Sequence, residues 1–139
     1  MLRRDGLVAY QLATAVDDST GIDDVVRGAD LFEATAVQTA LMERLGRAAP
    51  AYAHVPVALG PDGAKLSKSA GAAALDPASA ARSLEAAWRF LGQRPLPSGA
   101  GTGAGALERF WALAPGRWRM ASVPAVRARP WTAPAPRRS

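Results

Sequence analysis

Residues 60–71, GPDGAKLSKSAG, place two lysines three positions apart around a serine, between glycines. Two ammonium groups on a loop that follows a strand suit a triphosphate, because such a loop can fold over the phosphates. There it neutralises the negative charge that develops as a P–O bond breaks. Lys65 and Lys68 are therefore candidates for phosphate contact, with Ser67 between them. The alternative is a solvated turn with two exposed lysines.

Two other phosphate-binding patterns are not met. A P-loop requires glycine, lysine and then serine or threonine in succession, whereas Ala64 follows Gly63 and Leu66 follows Lys65. The glycines of PLPSGAGTGAG, residues 95–105, are not preceded by a predicted strand, so the strand-to-helix turn that binds phosphate is missing. This second stretch is predicted to be a flexible linker.

Strands and helices alternate along the predicted structure. Apolar side chains at alternate positions predict a strand over residues 7–16, VVRGADLF (25–32) predicts a second, and HVPVALG (54–60) predicts a third that leads into the lysine stretch. This order, with a helix after the second and third strands, predicts an α/β fold.

Helix boundaries are indicated by capping residues and glycines. Thr35 can cap a helix that ends at Gly46, and Asp76 with Pro77 can open a second helix that stops at Gly92.

Composition excludes several classes of site. The chain has no cysteine and a single histidine, so neither a disulfide framework nor a thiolate metal site can form, and we predict no metal site. His54 is interpreted as a packing or capping residue. No apolar run is long enough for a membrane span and no signal peptide is indicated, so we expect a cytoplasmic protein without a membrane partner.

The net charge of +5 is unevenly distributed. From Phe110 onward there are six arginines and no acidic residue. Such an end can attract phosphate backbones, but it is also typical of a solvated, proline-broken terminus.

The sequence KLSKS at 65–69 resembles the lysine signature loop of class I aminoacyl-tRNA synthetases, in the form common in the glutamyl branch. The segments AYQLATAVDD, VVRGADLF and YAHVPVALG before the loop, and AAWRFLGQ and RWRMASVP after it, follow in the order of glutamyl-queuosine tRNA(Asp) synthetases. The chain is similar to the C-terminal portion of that family over nearly its whole length.

The resemblance implies a fold, an activity and site residues. The fold is the second half of a Rossmann-type catalytic domain, followed by a small helical part. The activity is ATP-dependent activation of glutamate, with Mg²⁺ accompanying ATP, and transfer of the glutamyl group to queuosine of tRNA(Asp). Tyr10 and Arg27 match glutamate-binding positions, Lys68 and Lys65 match the catalytic and ATP-binding lysines, and Ser67 belongs to the ATP-binding loop. A guanidinium offers a planar fork to a carboxylate. Without the resemblance, a core-edge tyrosine and a surface ion pair of Arg27 would be favoured.

Three features of the family are absent from these 139 residues: the HIGH-type motif, the RFAPSP segment and the cysteine-based zinc site. We therefore expect the chain to be an incomplete part of the enzyme that does not form glutamyl-adenylate by itself. The alternatives are a non-catalytic remnant with at most weak RNA binding, and aminoacylation of the glutamyl-tRNA synthetase type. No motif indicates an oligomeric state.

The predicted organisation has five segments. They are the second half of the catalytic domain with the KLSKS loop (1–76), a helix (77–94), a flexible linker (95–105), a short helical segment (106–123) and a disordered basic tail (124–139).

Overall fold

The computed structural model describes residues 8–67, 74–97 and 103–134. They belong to two compact units, residues 1–55 and residues 56–139. Both units contain helices and a pair of parallel strands, which confirms the predicted α/β class.

The first unit consists of two helices and two strands in the order α1 (Tyr10–Asp18), β1 (Asp24–Gly28), α2 (Phe32–Arg44) and β2 (Ala51–Val55). Strands β1 and β2 pair in parallel from Asp24 opposite Ala51 to Gly28 opposite Val55. Helix α2 is thus the crossover between two parallel neighbours, as parallel pairing requires.

The predicted strand over residues 7–16 is wrong, because most of this segment forms α1. Tyr10 and Val16, two of the apolar residues at alternate positions, are 62% and 36% exposed, and the fully buried residue of the helix is Ala15. Alanine is the strongest helix former, and the segment is alanine-rich. The helix ends where the hydroxyls of Ser19 and Thr20 donate to the carbonyl oxygen of Val16.

The second predicted strand, residues 25–32, is confirmed as β1 only as far as Gly28, and the predicted cap of the next helix is wrong. Helix α2 begins at Phe32, without a side-chain cap, after a 3-10 turn over Ala29–Leu31, and Thr35 lies inside it. The predicted stop is confirmed, since α2 ends at Arg44 and Gly46 has a φ of +67°, a conformation that glycine adopts without strain.

The second unit contains β3 (Val57–Leu59), α3 (Ala80–Phe90), α4 (Ala106–Arg117) and β4 (Ala128–Pro130). The third predicted strand is divided at Pro56 between β2 and β3, because proline lacks the N–H that would continue a ladder. Strands β3 and β4 pair in parallel.

The capping signals predicted for α3 are present, although a 3-10 turn over Pro77–Ser79 comes before the helix itself. The Asp76 carboxylate accepts a hydrogen bond of 3.0 Å from the backbone N–H of Ala78, and Pro77 opens the 3-10 turn that leads into the helix. Gly92 follows the helix at φ +73°, and a Cβ there would collide with the carbonyl oxygen of Ser122.

The core of the second unit is aromatic. It consists of Trp88, Leu96, Phe110 and Ala114, with Leu84, Leu113 and Trp118 packed against it. The rings of Trp88 and Phe110 meet edge to face at 5.8 Å, and the Trp88 indole donates to the carbonyl of Arg94 at 2.7 Å. Because Leu96 is buried in this core, the start of the predicted linker 95–105 is anchored; residues 98–102 lie outside the described residues.

The prediction that residues 124–139 are disordered is wrong for Ala128–Pro130, which forms β4. Backbone pairing with β3 and a hydrogen bond of 2.7 Å from the Arg129 guanidinium to the carbonyl of Phe90 hold this segment. The Trp131 ring packs on the ring of Phe90 at 5.6 Å. Residues 135–139 lie outside the described part of the chain, and the five-segment partition as a whole stays a prediction.

Within the described ranges no helix is long and apolar enough to cross a membrane. The same residues contain no group of three or more histidine, aspartate and glutamate side chains that could hold a metal ion.

Candidate functional site

Arg27 lies near the C-terminal end of β1, directly opposite His54 of β2 in the parallel register. Residues opposite each other in a parallel pair project to the same face of the sheet. The Arg27 Nε accordingly lies 3.4 Å from the His54 Nε2. Tyr52 precedes His54 by two positions and shares that face, and its ring lies 4.7 Å from the Arg27 Cζ.

Helix α2 contributes the other side of this site. Thr35 and Gln38 are three residues apart and therefore neighbours on one helix face. The Arg27 Nη2 donates to the Thr35 hydroxyl at 2.7 Å, and the Arg27 Nη1 donates to the Gln38 Oε1 at 2.8 Å. We call Arg27, Thr35, Gln38, Tyr52 and His54 the Arg27 cluster.

Gln38 connects this cluster to α1. Its side chain is fully buried, and its Nε2 donates to the Oε1 of Gln11 at 2.8 Å. Because one amide oxygen accepts from Arg27 and the amide nitrogen donates to Gln11, the orientation of the Gln38 amide is defined by its partners. The guanidinium, carried by β1, is thereby bonded to side chains of α2 and β2, and Gln38 links it to α1.

The surroundings of His54 favour the uncharged form of its imidazole. Burial lowers the pKa of the imidazole below its ordinary 6.5, and the facing Arg27 guanidinium lowers this pKa further. The neutral Nε2 can then accept from Arg27, and the Thr35 hydroxyl lies 3.0 Å away. The Phe32 ring packs against the imidazole with 5.2 Å between the ring centroids.

Tyr52 brings a second polar group into the cluster. Its hydroxyl is buried and has no hydrogen-bond partner among the described residues. Burial raises the pKa of this phenol, with a smaller rise from Asp18, while Arg27 acts in the opposite direction. A buried hydroxyl without a partner is costly and is often found where a ligand supplies the missing bond.

The charge balance of the cluster is its main chemical property. The partners of Arg27 among the described residues are an amide, a hydroxyl, a neutral imidazole and a phenol ring. Three of its five N–H groups have acceptors there, which leaves two donors and an unneutralised positive charge. This arrangement can bind an anion, and the planar fork suits a carboxylate best.

The structure treats the two predicted glutamate-binding residues differently. Arg27 is at the centre of the cluster. Tyr10 is the first residue of α1, next to Gln11, but no contact between described residues joins its exposed side chain to Arg27. Sequence reasoning missed Thr35, Gln38 and Tyr52 and interpreted His54 only as a packing residue. The spacings 35/38 and 52/54 were the available signals.

The lysine stretch begins in a tight hairpin in the second unit. After β3, the Gly60 N–H donates to the carbonyl of Ala64 at 2.8 Å, and the Leu66 N–H donates to the carbonyl of Ala58 at 2.9 Å. Gly63 stands at the turn with φ +75°. Lys65 thereby pairs antiparallel with Leu59, and its side chain is exposed.

Two further predicted residues follow the hairpin. Ser67 is half-buried at the end of the described stretch, whereas Lys68 lies outside the described residues. Strand β3 is therefore bounded by β4 on one edge and by the start of the lysine stretch on the other.

Residues 1–81 match the family described as tRNA synthetases class I (E and Q), catalytic domain. The match covers more than half of the chain. The chain belongs to this family of class I synthetase catalytic domains.

Among curated proteins, the chain is similar to glutamyl-Q tRNA(Asp) synthetases. It is 52% identical to that of Xanthomonas campestris pv. campestris over 109 residues, 76% of this chain and 36% of the relative. It is 46% identical to that of Aromatoleum aromaticum over 125 residues, 89% of this chain and 39% of the relative. The chain thus spans between a third and two fifths of the length of these relatives, as the resemblance to their C-terminal portion predicts.

Solved structures support the fold. A glutamate tRNA ligase from Elizabethkingia meningosepticum superposes with a TM-score of 0.58 over 95% of this chain and 29% of its own, at 23% identity. The glutamate-tRNA synthetase from Elizabethkingia anophelis gives the same TM-score at 24% identity. At these identities the likeness concerns the fold alone.

Proposed function

We propose that this chain carries the glutamate-binding and lysine-loop portion of an enzyme that activates glutamate with ATP and transfers the glutamyl group to queuosine of tRNA(Asp). The observation that carries the proposal is the Arg27 cluster, in which a guanidinium is held in place by neutral partners. The family match and the names of the relatives support the reaction class.

Arg27 binds a carboxylate of glutamate in this proposal. A carboxylate that approaches the two remaining N–H donors gains charge-assisted hydrogen bonds without displacing an internal anion. In this proposal the Tyr52 hydroxyl, which has no partner in the described residues, supplies a further bond. Tyr10, at the first residue of α1, completes the glutamate-binding set suggested by the resemblance.

The lysine loop acts on ATP. In the activation step a glutamate carboxylate oxygen forms a bond to the α-phosphorus, and the bond to the pyrophosphate oxygen breaks. Lys68 and Lys65 are proposed to neutralise the negative charge that moves onto the departing pyrophosphate, with Ser67 as a supporting donor. The hairpin from Gly60 to Leu66 tethers the start of this loop to β3.

A chimeric enzyme tests the proposal. The HIGH-motif half of the Xanthomonas campestris relative is placed before residue 1, and glutamate-dependent exchange of pyrophosphate into ATP is measured. We expect exchange from the chimera and none from residues 1–139 alone. Lys68→Ala should lower the rate about a hundredfold or more with little change in the glutamate KM, because the lysine acts where charge develops.

Arg44→Ala is the matched control, since it removes an exposed cation from the end of α2. It should leave exchange unchanged. A chimera with no exchange, or one in which Lys68→Ala and Arg44→Ala behave alike, would contradict the assignment.

The acceptor is tested separately with radiolabelled glutamate. We expect the chimera to label tRNA(Asp) that contains queuosine and not the same tRNA lacking it. Labelling of tRNA(Glu) instead would assign the chain to aminoacylation of the glutamyl-tRNA synthetase type.

A further inference from the structure

Among the described residues, the lining of a cavity of about 480 Å³ in the second unit contains three arginines and no acidic residue. The arginines are Arg94, which follows α3, and Arg117 and Arg119, which lie at the end of α4 and just beyond it. All three are exposed, and among the described residues none has a carboxylate partner. The cavity therefore concentrates positive charge on a concave surface.

The arrangement of Arg117 and Arg119 follows from the residue between them. Trp118 packs its ring on Trp88 at 5.7 Å and belongs to the aromatic core of this unit. Beyond the helix the backbone is extended, with φ −61° and ψ 136° at Trp118. Arg117 is exposed as the last residue of α4, and Arg119 follows the inward tryptophan in extended backbone, where successive side chains project to opposite sides.

A buried glutamine fixes the backbone on which these arginines stand. Gln93 is 4% exposed, and its amide oxygen accepts from the Arg119 N–H at 2.8 Å. Its amide nitrogen donates to the carbonyls of Arg119 and Leu91, both at 3.0 Å. Nearby, the carbonyl of Arg94 accepts from the Trp88 indole at 2.7 Å. The core thus fixes the backbone at Arg94 and Arg119. The Arg119 Nη1 donates to the carbonyls of Trp118 at 2.8 Å and Gly116 at 3.5 Å, so this guanidinium is held beside the fixed backbone.

We propose that this arginine cavity binds the phosphodiester backbone of an RNA. Guanidinium groups bind phosphate through paired N–H donors, and several cations along one concave surface match a polymer of phosphates. The absence of acidic residues from Phe110 onward extends the positive field beyond the cavity. This inference rests on the proposed function, because the RNA that the cavity would bind is the acceptor tRNA.

The test measures binding of a fluorescein-labelled anticodon stem-loop of tRNA(Asp) to the full 139-residue chain by fluorescence anisotropy over a series of salt concentrations. The triple variant Arg94→Gln/Arg117→Gln/Arg119→Gln should bind about tenfold or more weakly at moderate salt. The slope of log affinity against log salt should fall by about two to three, because each lost phosphate contact removes close to one released counterion.

The matched control is Arg44→Gln/Arg47→Gln/Arg89→Gln, which removes the same charge outside the cavity. It should retain most of the affinity and the slope, and circular dichroism checks that both variants are folded. Equal losses of RNA affinity in the two variants, or no loss in the cavity variant, would overturn the proposal. Displacement of the RNA by inorganic phosphate at an equal concentration of phosphate groups would overturn it as well.

This assay does not depend on glutamate activation. If the cavity variant loses RNA binding while the chimera shows no pyrophosphate exchange, the RNA site stands and the proposed reaction fails. If exchange proceeds while RNA binding is unaffected by the variant, the reaction stands and this inference fails.

Discussion

The interiors of the two units differ in kind. In the first unit the fully buried side chains include Gln38. Its amide oxygen accepts a hydrogen bond from Arg27, and its amide nitrogen donates one to Gln11. In the second unit the core is formed by Trp88, Phe110 and their apolar neighbours. A buried polar network can hold a charged side chain in one position, but it contributes less to stability than apolar packing does. A buried aromatic core contributes stability by removing apolar surface from water. The buried polar side chain of the first unit is therefore explained by its contact with Arg27, around which this unit is organised.

The largest effect is expected from breaking the aromatic core. Phe110→Ala removes a ring that is 3% exposed and packs on Trp88, and should lower the free energy of unfolding by about 3–5 kcal/mol. The adjacent Trp111→Ala removes a ring that is 59% exposed and should cost less than about 1 kcal/mol. Urea unfolding followed by circular dichroism measures both values. Similar losses would show that α4 does not pack as described.

A substitution at Gln38 separates stability from binding in the first unit. Gln38→Glu places a carboxylate against the Arg27 Nη1, so the internal anion competes with the substrate for the guanidinium. In the chimeric enzyme the glutamate KM should rise about tenfold, which corresponds to about 1.4 kcal/mol, with a smaller change in kcat.

Gln38→Met is the matched control, because it removes the amide without adding charge. It should lower stability by about 1–3 kcal/mol, since it leaves buried donors and acceptors unpaired, but raise the glutamate KM less than Gln38→Glu does. If both variants raise KM equally, the charge of Arg27 is not what binds the substrate.

A smaller effect concerns the single histidine, whose imidazole NMR signals can be followed without assignment. We expect His54 to titrate below 6.5, and Arg27→Met to raise this pKa while leaving it below 6.5, since burial is the larger cause. Between the folded and unfolded pKa values of His54, the unfolded chain binds more protons than the folded chain does. The free energy of unfolding should therefore fall as the pH drops through 6.5, and it should level off below the pKa of His54 in the folded chain. A pKa at or above 6.5 would contradict the neutral assignment.

The sequence supported the α/β class, strand β1 and the helix stops at Gly46 and Gly92, because these depend on local patterns of apolar residues and glycines. The prediction failed for α1. The period-two spacing of the larger apolar residues favoured a strand, but the alanine-rich segment forms a helix. The prediction also failed for β4, because a strand of three residues held by β3 and by the carbonyl of Phe90 has no local signature.

The candidate site was predicted only in part for a similar reason. Arg27 was identified by its resemblance to the family motif. Gln38 and Tyr52 were missed, because a polar residue in a helix or strand is ordinarily exposed, and its burial here depends on partners brought from other elements. Patterns along the chain do not show which polar residue will find such a partner.

Binding of a glutamate carboxylate by the Arg27 guanidinium is tested by steady-state pyrophosphate exchange in the chimeric enzyme with Arg27→Gln. The variant keeps a hydrogen-bonding side chain but loses the charge and the fork. We expect the glutamate KM to rise about a hundredfold, because a charge-assisted bidentate contact is lost, while kcat changes less than tenfold and the ATP KM stays the same. An unchanged glutamate KM in Arg27→Gln, whatever its kcat, would show that Arg27 does not bind the substrate carboxylate.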